Sequence, residues 1–282
     1  MKELLLAKTA GFCFGVKRAI DSVSKALDEY YELYSIGQII HNERVVDDLS
    51  KKGLIVLNDD EALTLTKKNI IIRSHGIEKE KLIALQNNNN NIIDLTCPFV
   101  KRIHNIVSEA SNHYDAILVI GNNDHEEVKG IVSYADIDIF VINDENAINA
   151  LKIDQKSRIL VVFQTTFNIG YGQKLVAILR NMFYNLTVSN TICNATEERQ
   201  EETRKLAQVS DSFLVIGSNS SSNTQKLYEI AKDNCKNVYL VNGVNDLNNV
   251  RIGKNDILGV SAGASVPDYL IQEITDYART NF

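Results

Sequence analysis

Short runs rich in Ile, Val and Leu recur along this chain of 282 residues, and most are followed by an amphipathic stretch of helical length. Strands are expected at Leu4–Ala7, Asn69–Arg73, Ile92–Leu95, Ala116–Ile120, Arg158–Phe163, Leu186–Ser189, Ser212–Ile216 and Asp256–Val260. Helices are expected at Val16–Tyr30, Phe99–His113, Gly170–Phe183, Thr196–Ser210 and Asp268–Ala278. Apolar runs this continuous, alternating with helices, belong to parallel sheets covered on both faces, an α/β fold. Pro98 and Pro267 stand where helices should begin, a position that tolerates a missing N–H. The asparagine-rich stretch Gln86–Asn91 falls between a helix and a strand and reads as a solvated turn.

Three of the four cysteines follow short apolar runs: Cys13, Cys97 and Cys193, 84 and 96 residues apart. A 24-residue step from each ends on the glycine of an Ile-Gly pair, at Gly37, Gly121 and Gly217. Similarity at fixed offsets marks repeated units. Three similar small α/β lobes in a pseudo-threefold arrangement are therefore expected. Their bounds would be 14–96, 97–192 and 193–282, with 1–13 as an N-terminal strand and ligand segment. Each repeat reads cysteine, helix, strand, polar loop, helix, strand, second polar loop, helix. The first loops are GQIIHN from Gly37, GNNDHE from Gly121 and GSNSSSN from Gly217. The second are RSHG from Arg73, FQTT from Phe163 and VSAGAS from Val260. Loops at the carboxyl ends of parallel strands line the ligand crevice, so all six should lie on the side of the cysteines.

A net charge of −6 without a basic cluster argues against a nucleic-acid surface. The amino terminus is too weakly apolar for a signal peptide, and no run reaches the length of a membrane span, so a cytoplasmic protein is expected. In that compartment widely spaced cysteines serve metals or catalysis more often than disulfides. Structural zinc sites carry ligands in close pairs, which are missing here. Three distant thiolates meeting at one centre suit an iron–sulfur cluster, and a [4Fe–4S] cube with three ligands leaves one iron open. Cys235 lies outside the repeat and reads as a small buried hydrophobe. Gly11 and Gly15 bracket Cys13, while Phe12, Phe14 and Phe99 would either keep water from the cluster or simply pack in the core.

The polar loops hold His41, His75 and His125, whereas His104 and His113 fall in a helix and are assigned solvated or capping roles. With Ser221, Ser222, Asn223, Ser261 and Ser265 the loop histidines supply short donors for a small polyanion such as a diphosphate. No GxxxxGK[ST] loop is present, and the serines also suit a helix cap before Thr224. In His125-Glu126-Glu127 either glutamate could carry protons, near Thr165 and Thr166 in the same lobe. On the residues alone three readings stay open: a redox cluster enzyme, a non-redox [4Fe–4S] hydro-lyase, and a zinc-stabilised module binding a phosphorylated metabolite.

The segments GFCFGVKRAI, IIHNERVV, RSHG, LTCPFV, GNNDHEEVKG, QTTF, ICNATEERQ, GSNSSSNT and SAGASVPD together resemble the 4-hydroxy-3-methylbut-2-enyl diphosphate reductase family of the methylerythritol phosphate route to isoprenoids. The resemblance implies three α/β lobes around a central [4Fe–4S] cluster held by Cys13, Cys97 and Cys193. It implies diphosphate binding by His41, His75, His125, Ser221, Ser222, Asn223 and Ser265. The family pattern His-x-Glu gives the proton-donor role to Glu127, with Thr165 at the hydroxyl end of the substrate and Thr196 as an outer neighbour. The implied reaction is reductive dehydroxylation to isopentenyl and dimethylallyl diphosphate, using two electrons and two protons at the open iron. No dinucleotide fingerprint is present, so ferredoxin or flavodoxin is the expected electron donor.

Overall fold

A computed structural model describes residues 1–282. The chain opens with β1 (Glu3–Leu6) and α1 (Phe14–Glu29). It continues through β2 (Leu33–Ile36), α2 (Glu43–Lys51), β3 (Leu54–Leu57), α3 (Asp59–Leu63), β4 (Asn69–Ile72), α4 (Lys79–Asn87) and β5 (Asn91–Asp94). The second repeat comprises α5 (Pro98–Glu109), β6 (Ala116–Ile120), α6 (Glu126–Ser133), β7 (Asp138–Ile142), α7 (Glu145–Asn149), β8 (Arg158–Phe163), α8 (Ile169–Met182) and β9 (Asn185–Val188). The third comprises α9 (Asn194–Gln208), β10 (Ser212–Ile216), α10 (Ser222–Asn234), β11 (Asn237–Val241), β12 (Ile257–Ala262) and α11 (Asp268–Asn281).

The strands form three four-stranded sheets, ordered β3-β2-β4-β5, β7-β6-β8-β9 and β1-β12-β10-β11, and every neighbouring pair is parallel. The amino-terminal strand thus completes the sheet of the last repeat. By compactness the chain divides into two units. One comprises Met1–Lys17, Ile40–Asp48 and Asn194–Phe282 and contains the third sheet; the other comprises Arg18–Ile39 and Leu49–Cys193 and contains the first two. No helix is long and apolar enough to cross a membrane.

Burial explains the unbroken apolar strands. In β6, Leu118 and Ile120 pack on one face with Leu175 and Leu179 of α8. Ile117 and Val119 pack on the other with Ile103 of α5 and Val128 of α6. In β10, Leu214 and Ile216 join Leu270 and Ile274 of α11, while Phe213 and Val215 join Leu227 and Ala231 of α10. A strand covered on both sides cannot alternate, so it is apolar throughout.

The expected repeat lacks one strand. β3, β7 and β11 each occupy the same edge of their sheets, and each is only partly covered. Apolar runs of four or five residues cannot be separated from helical segments by periodicity. Capping residues offered the missing cue: Asn58 and Asp144 cap the short helices after β3 and β7. The asparagine run is partly exposed and partly built into the turn. Asn89 adopts φ +55°, and Asn90 bonds Leu65 O, Leu85 O and Lys68 N, closing the α4–β5 turn.

A Cβ at Gly259 in β12 would lie 2.4 Å from the fully buried Phe213 ring and 2.5 Å from Ser210 Oγ. Gly259→Ala is therefore expected to cost about 2 kcal/mol through overpacking. A lower urea midpoint at unchanged m-value would register it; an unchanged midpoint would show that the ring has room to move.

Candidate active site

Each sheet presents one cysteine by the same backbone device. The strand beside the central pair runs out, and the amide of the following cysteine bonds the loop after the neighbouring strand. Cys97, after β5, donates to Ser74 O at 2.9 Å; Cys193, after β9, to Thr165 O at 3.2 Å; Cys13, after β1, to Ala264 O at 3.3 Å. Ser74, Thr165 and Ala264 are each the second residue beyond the end of β4, β8 or β12. In sequence a cysteine opens each repeat; in space it is tied to the sheet it follows. None of the three thiols is in a disulfide, and each is half-buried. Cys235 is buried in the core of the third sheet and its thiol donates to Ser210 O, so it has a structural role.

Two arginines unmarked by the repeat, Arg199 buried and Arg18 half-buried, fix the approaches to these cysteines. Arg199 of α9 donates to the carbonyls of Thr9 and Gly11, and Arg18 of α1 to those of Leu95 and Thr96. Gly11 has φ +99°, and a Cβ there would meet Asp268 at 3.0 Å. The aromatic shield is smaller than the sequence implied, because Phe14 is 68% exposed.

In the unit holding the first two sheets, Glu127 sits in the first turn of α6, 2% exposed. Its carboxyl accepts Thr165 N–H at 2.6 Å and Thr165 Oγ1–H at 2.8 Å. Burial pushes Glu127 up to about 7, against the two Thr165 bonds that pull it down. His125 caps α6, its Nδ1 accepting Glu127 N–H at 3.2 Å. The ring proton therefore sits on Nε2, making that edge a donor. The His75 ring stands edge-on to His125 with centroids 5.6 Å apart. Gln164 ties the two polar loops together, accepting from Asn122 N–H and donating to Thr166 Oγ1. His104 is corrected: it is buried against Tyr134, and burial lowers it to about 4.

In the unit holding the third sheet, Ser221 caps α10, its Oγ accepting Thr224 N–H at 3.3 Å, which leaves its proton for another acceptor. Asn223 is 5% exposed, and its buried Nδ2 has no acceptor. Ser265 donates to His41 O at 3.1 Å and accepts at its own carbonyl from Asn42 Nδ2 at 2.8 Å, joining the His41 and Ser265 loops. Ser261 does not reach the surface; it is fully buried and bonded to Thr203. Thr196 is buried in the first turn of α9. Thr224 lies under both loops, since Cβ atoms at Gly217 and Gly263 would fall 2.6 and 2.1 Å from its Oγ1. One unit thus carries Cys13 with the serine and asparagine donors, and the other carries Cys97 and Cys193 with His75, His125 and the buried Glu127 carboxyl.

Fold and site define a parallel α/β protein of three small sheets whose cysteine-bearing strand ends carry the chemistry. The family described as LytB protein matches residues 4–279, and the chain belongs to that family. A 4-hydroxy-3-methylbut-2-enyl diphosphate reductase of Campylobacter hominis is 41% identical over 279 residues, 99% of each chain. One from Caldanaerobacter subterraneus subsp. tengcongensis is 39% identical over 281 residues, 99% of this chain and 97% of the relative. Among solved structures, the E-1-hydroxy-2-methyl-but-2-enyl-4-diphosphate reductase of Plasmodium falciparum superposes with a TM-score of 0.90 at 30% identity, covering 99% of this chain and 87% of that one. A second, described as the terminal enzyme of the non-mevalonate pathway, gives 0.70 at 34% identity, covering 99% and 100%.

Because folded Glu127 holds its proton more tightly than the unfolded chain, its contribution to stability is fully present below about pH 4.5 and is lost as pH rises through about 7. Glu127→Gln removes that slope. The difference between wild-type and variant unfolding free energies should change by about 3 kcal/mol across the window; a flat difference would show an unperturbed carboxyl.

Proposed function

We propose that this chain reduces 4-hydroxy-3-methylbut-2-enyl diphosphate, the substrate and reaction type that its relatives' names describe, and that the products are isopentenyl and dimethylallyl diphosphate. Two electrons and two protons enter, the allylic C–O bond breaks, and one water leaves. The buried, protonatable Glu127 on Thr165 carries the reading, because the carbonyl of that same threonine receives the amide of Cys193. A proton source one residue removed from a thiol is what a reductive dehydroxylation requires.

The cysteines fit a [4Fe–4S] cluster. None of the three is in a disulfide, all are half-buried, each is held by the same backbone bond, and the fourth cysteine is engaged in the core. Cys13, Cys97 and Cys193 would hold the cluster, which when bound supplies single electrons and Lewis acidity toward the allylic hydroxyl. The protein's own groups do the rest. The Nε2–H of His125, the hydroxyl of Ser221 and the amide of Asn223 can donate to the diphosphate, together with His41, His75, Ser222 and Ser265. Glu127 gives its carboxyl proton to the departing hydroxyl, and Thr165 steadies the carboxylate that remains. A second proton at either end of the allylic system accounts for two isomeric products. Ferredoxin or flavodoxin in the cytoplasm would supply the electrons.

Anaerobic turnover of the substrate with reduced viologen tests this, with about two one-electron viologens oxidised per product on the stoichiometry above. Dehydration without viologen oxidation would indicate a hydro-lyase instead. Glu127→Gln should retain cluster absorbance and substrate binding but lose turnover by about 100-fold or more. Wild-type turnover in that variant would remove Glu127 from the role. Cys193→Ser should lose the stable cluster, whereas Cys235→Ser should keep its spectrum; loss in the latter would overturn the ligand assignment.

A further inference from the structure

Glu126 fills the variable position of His-x-Glu, yet it is built into the fold. It occupies the first position of α6, between the His125 cap and Glu127. One carboxylate oxygen pairs with Arg73 Nη2 and the other accepts from Lys129 Nζ at 3.1 Å. Burial works against its charge, but Arg73 and Lys129 hold Glu126 below the usual carboxylate range. Arg73 itself directly follows β4 and is 9% exposed. Its guanidinium lies against the backbone of Gly37, whose φ is +70° and where a Cβ would come within 2.2 Å of Nη1. Arg73 thereby touches the loop after β2 and the first turn of α6, while belonging to the loop that carries His75.

The surroundings make this pairing necessary. Carboxylate oxygens of Asp59, Glu78 and Glu126 lie within 4.8 Å of one another. Lys81 bonds both Asp59 and Glu78, and with Arg73 and Lys129 on Glu126 three cations balance three carboxylates, so the group is an ion network rather than a cation site. Without Arg73, the three carboxylates would be left with only Lys81 and the more exposed Lys129 to offset them. Like charges this close would displace the turn that carries Glu126. Successive helical residues point about 100° apart, and here Glu126 faces Arg73 while Glu127 faces Thr165. A shift of that turn moves both residues.

We infer that Arg73 and Glu126 form a clamp that positions the first turn of α6, and with it the Glu127 carboxyl on Thr165 and the His125 ring. They are positioning residues, and the inference rests on Glu127 being the proton donor. Misplacing a proton donor by a fraction of an ångström slows the chemical step more than binding.

The test uses cluster-loaded protein, the diphosphate substrate and reduced viologen. Arg73→Gln and Glu126→Gln should each lower kcat per cluster about 10-fold, with KM within about twofold. The double variant, which leaves no lone buried charge and should fold if either single does not, should be no slower than the slower single. Glu126→Asp should recover part of the rate. In a Glu127→Gln background, Arg73→Gln should cost less than about twofold more, because the group it positions is gone. Wild-type kcat per cluster in Arg73→Gln, with a slow Glu127→Gln, would overturn the clamp alone. A full 10-fold further loss in the Glu127→Gln background would also overturn it, showing action by another route. Wild-type turnover in Glu127→Gln would overturn the donor assignment and the clamp with it.

Discussion

The presentation of chemistry in this protein depends on one backbone hydrogen bond made three times. A cysteine amide donates to the carbonyl two residues beyond the neighbouring strand. Parallel sheets buried on both faces leave polar groups only at the strand ends. The carboxyl ends then have to satisfy their own backbone, and the cysteine amide does part of that work. The same bond sets where the thiol starts its approach. In the second sheet it does more, since Thr165 receives the Cys193 amide and also holds Glu127 through its N–H and hydroxyl. The position of the Cys193 thiol and that of the Glu127 carboxyl are therefore mechanically linked through one residue.

That arrangement gives meaning to the shifted carboxyl. A glutamate left in water would be ionised at neutral pH. Glu127 is raised to about 7 because burial penalises the charge, and the two Thr165 bonds keep the rise from going further. Burial makes the proton available; the threonine keeps it transferable. Stronger hydrogen bonding would lower the pKa and leave a carboxylate, and weaker bonding would leave the group loose.

Much of this was legible in the residues. The equal steps from cysteine to Ile-Gly reflect three sheets with common topology, and the six loops do follow the paired central strands β2/β4, β6/β8 and β10/β12. What escaped reading was whatever depends on partners distant in sequence. Arg18 and Arg199 look like ordinary surface cations on polar helix faces, yet they bond carbonyls 77 and 190 residues away. His104 falls in a helix outside the polar loops, which suggests a solvated or capping role; packing against Gly76 and Gly130 buries it. The edge strands escaped because their runs are too short to declare a period, and β1 gave no sign that it would join the last sheet.

The serine-rich loop after β10 shows how fold and ligand demands separate. Two explanations competed for it, helix capping and anion binding, and the atoms divide between them. Ser221 uses its lone pair as the cap of α10 and retains a proton to donate. Ser261, across in β12, is buried and accepts from Thr203, so it takes no part in that loop. Asn223, buried at 5% exposure, keeps an Nδ2 that nothing in the protein accepts. An unmet buried donor costs about 1–3 kcal/mol, so a fold does not keep one without return. An anion at the N-terminus of α10 would satisfy it while meeting the positive end of the helix and the remaining Ser221 proton. Capping explains why a serine begins this turn, and the proposed diphosphate would explain why an asparagine follows two positions later with its amide unmet.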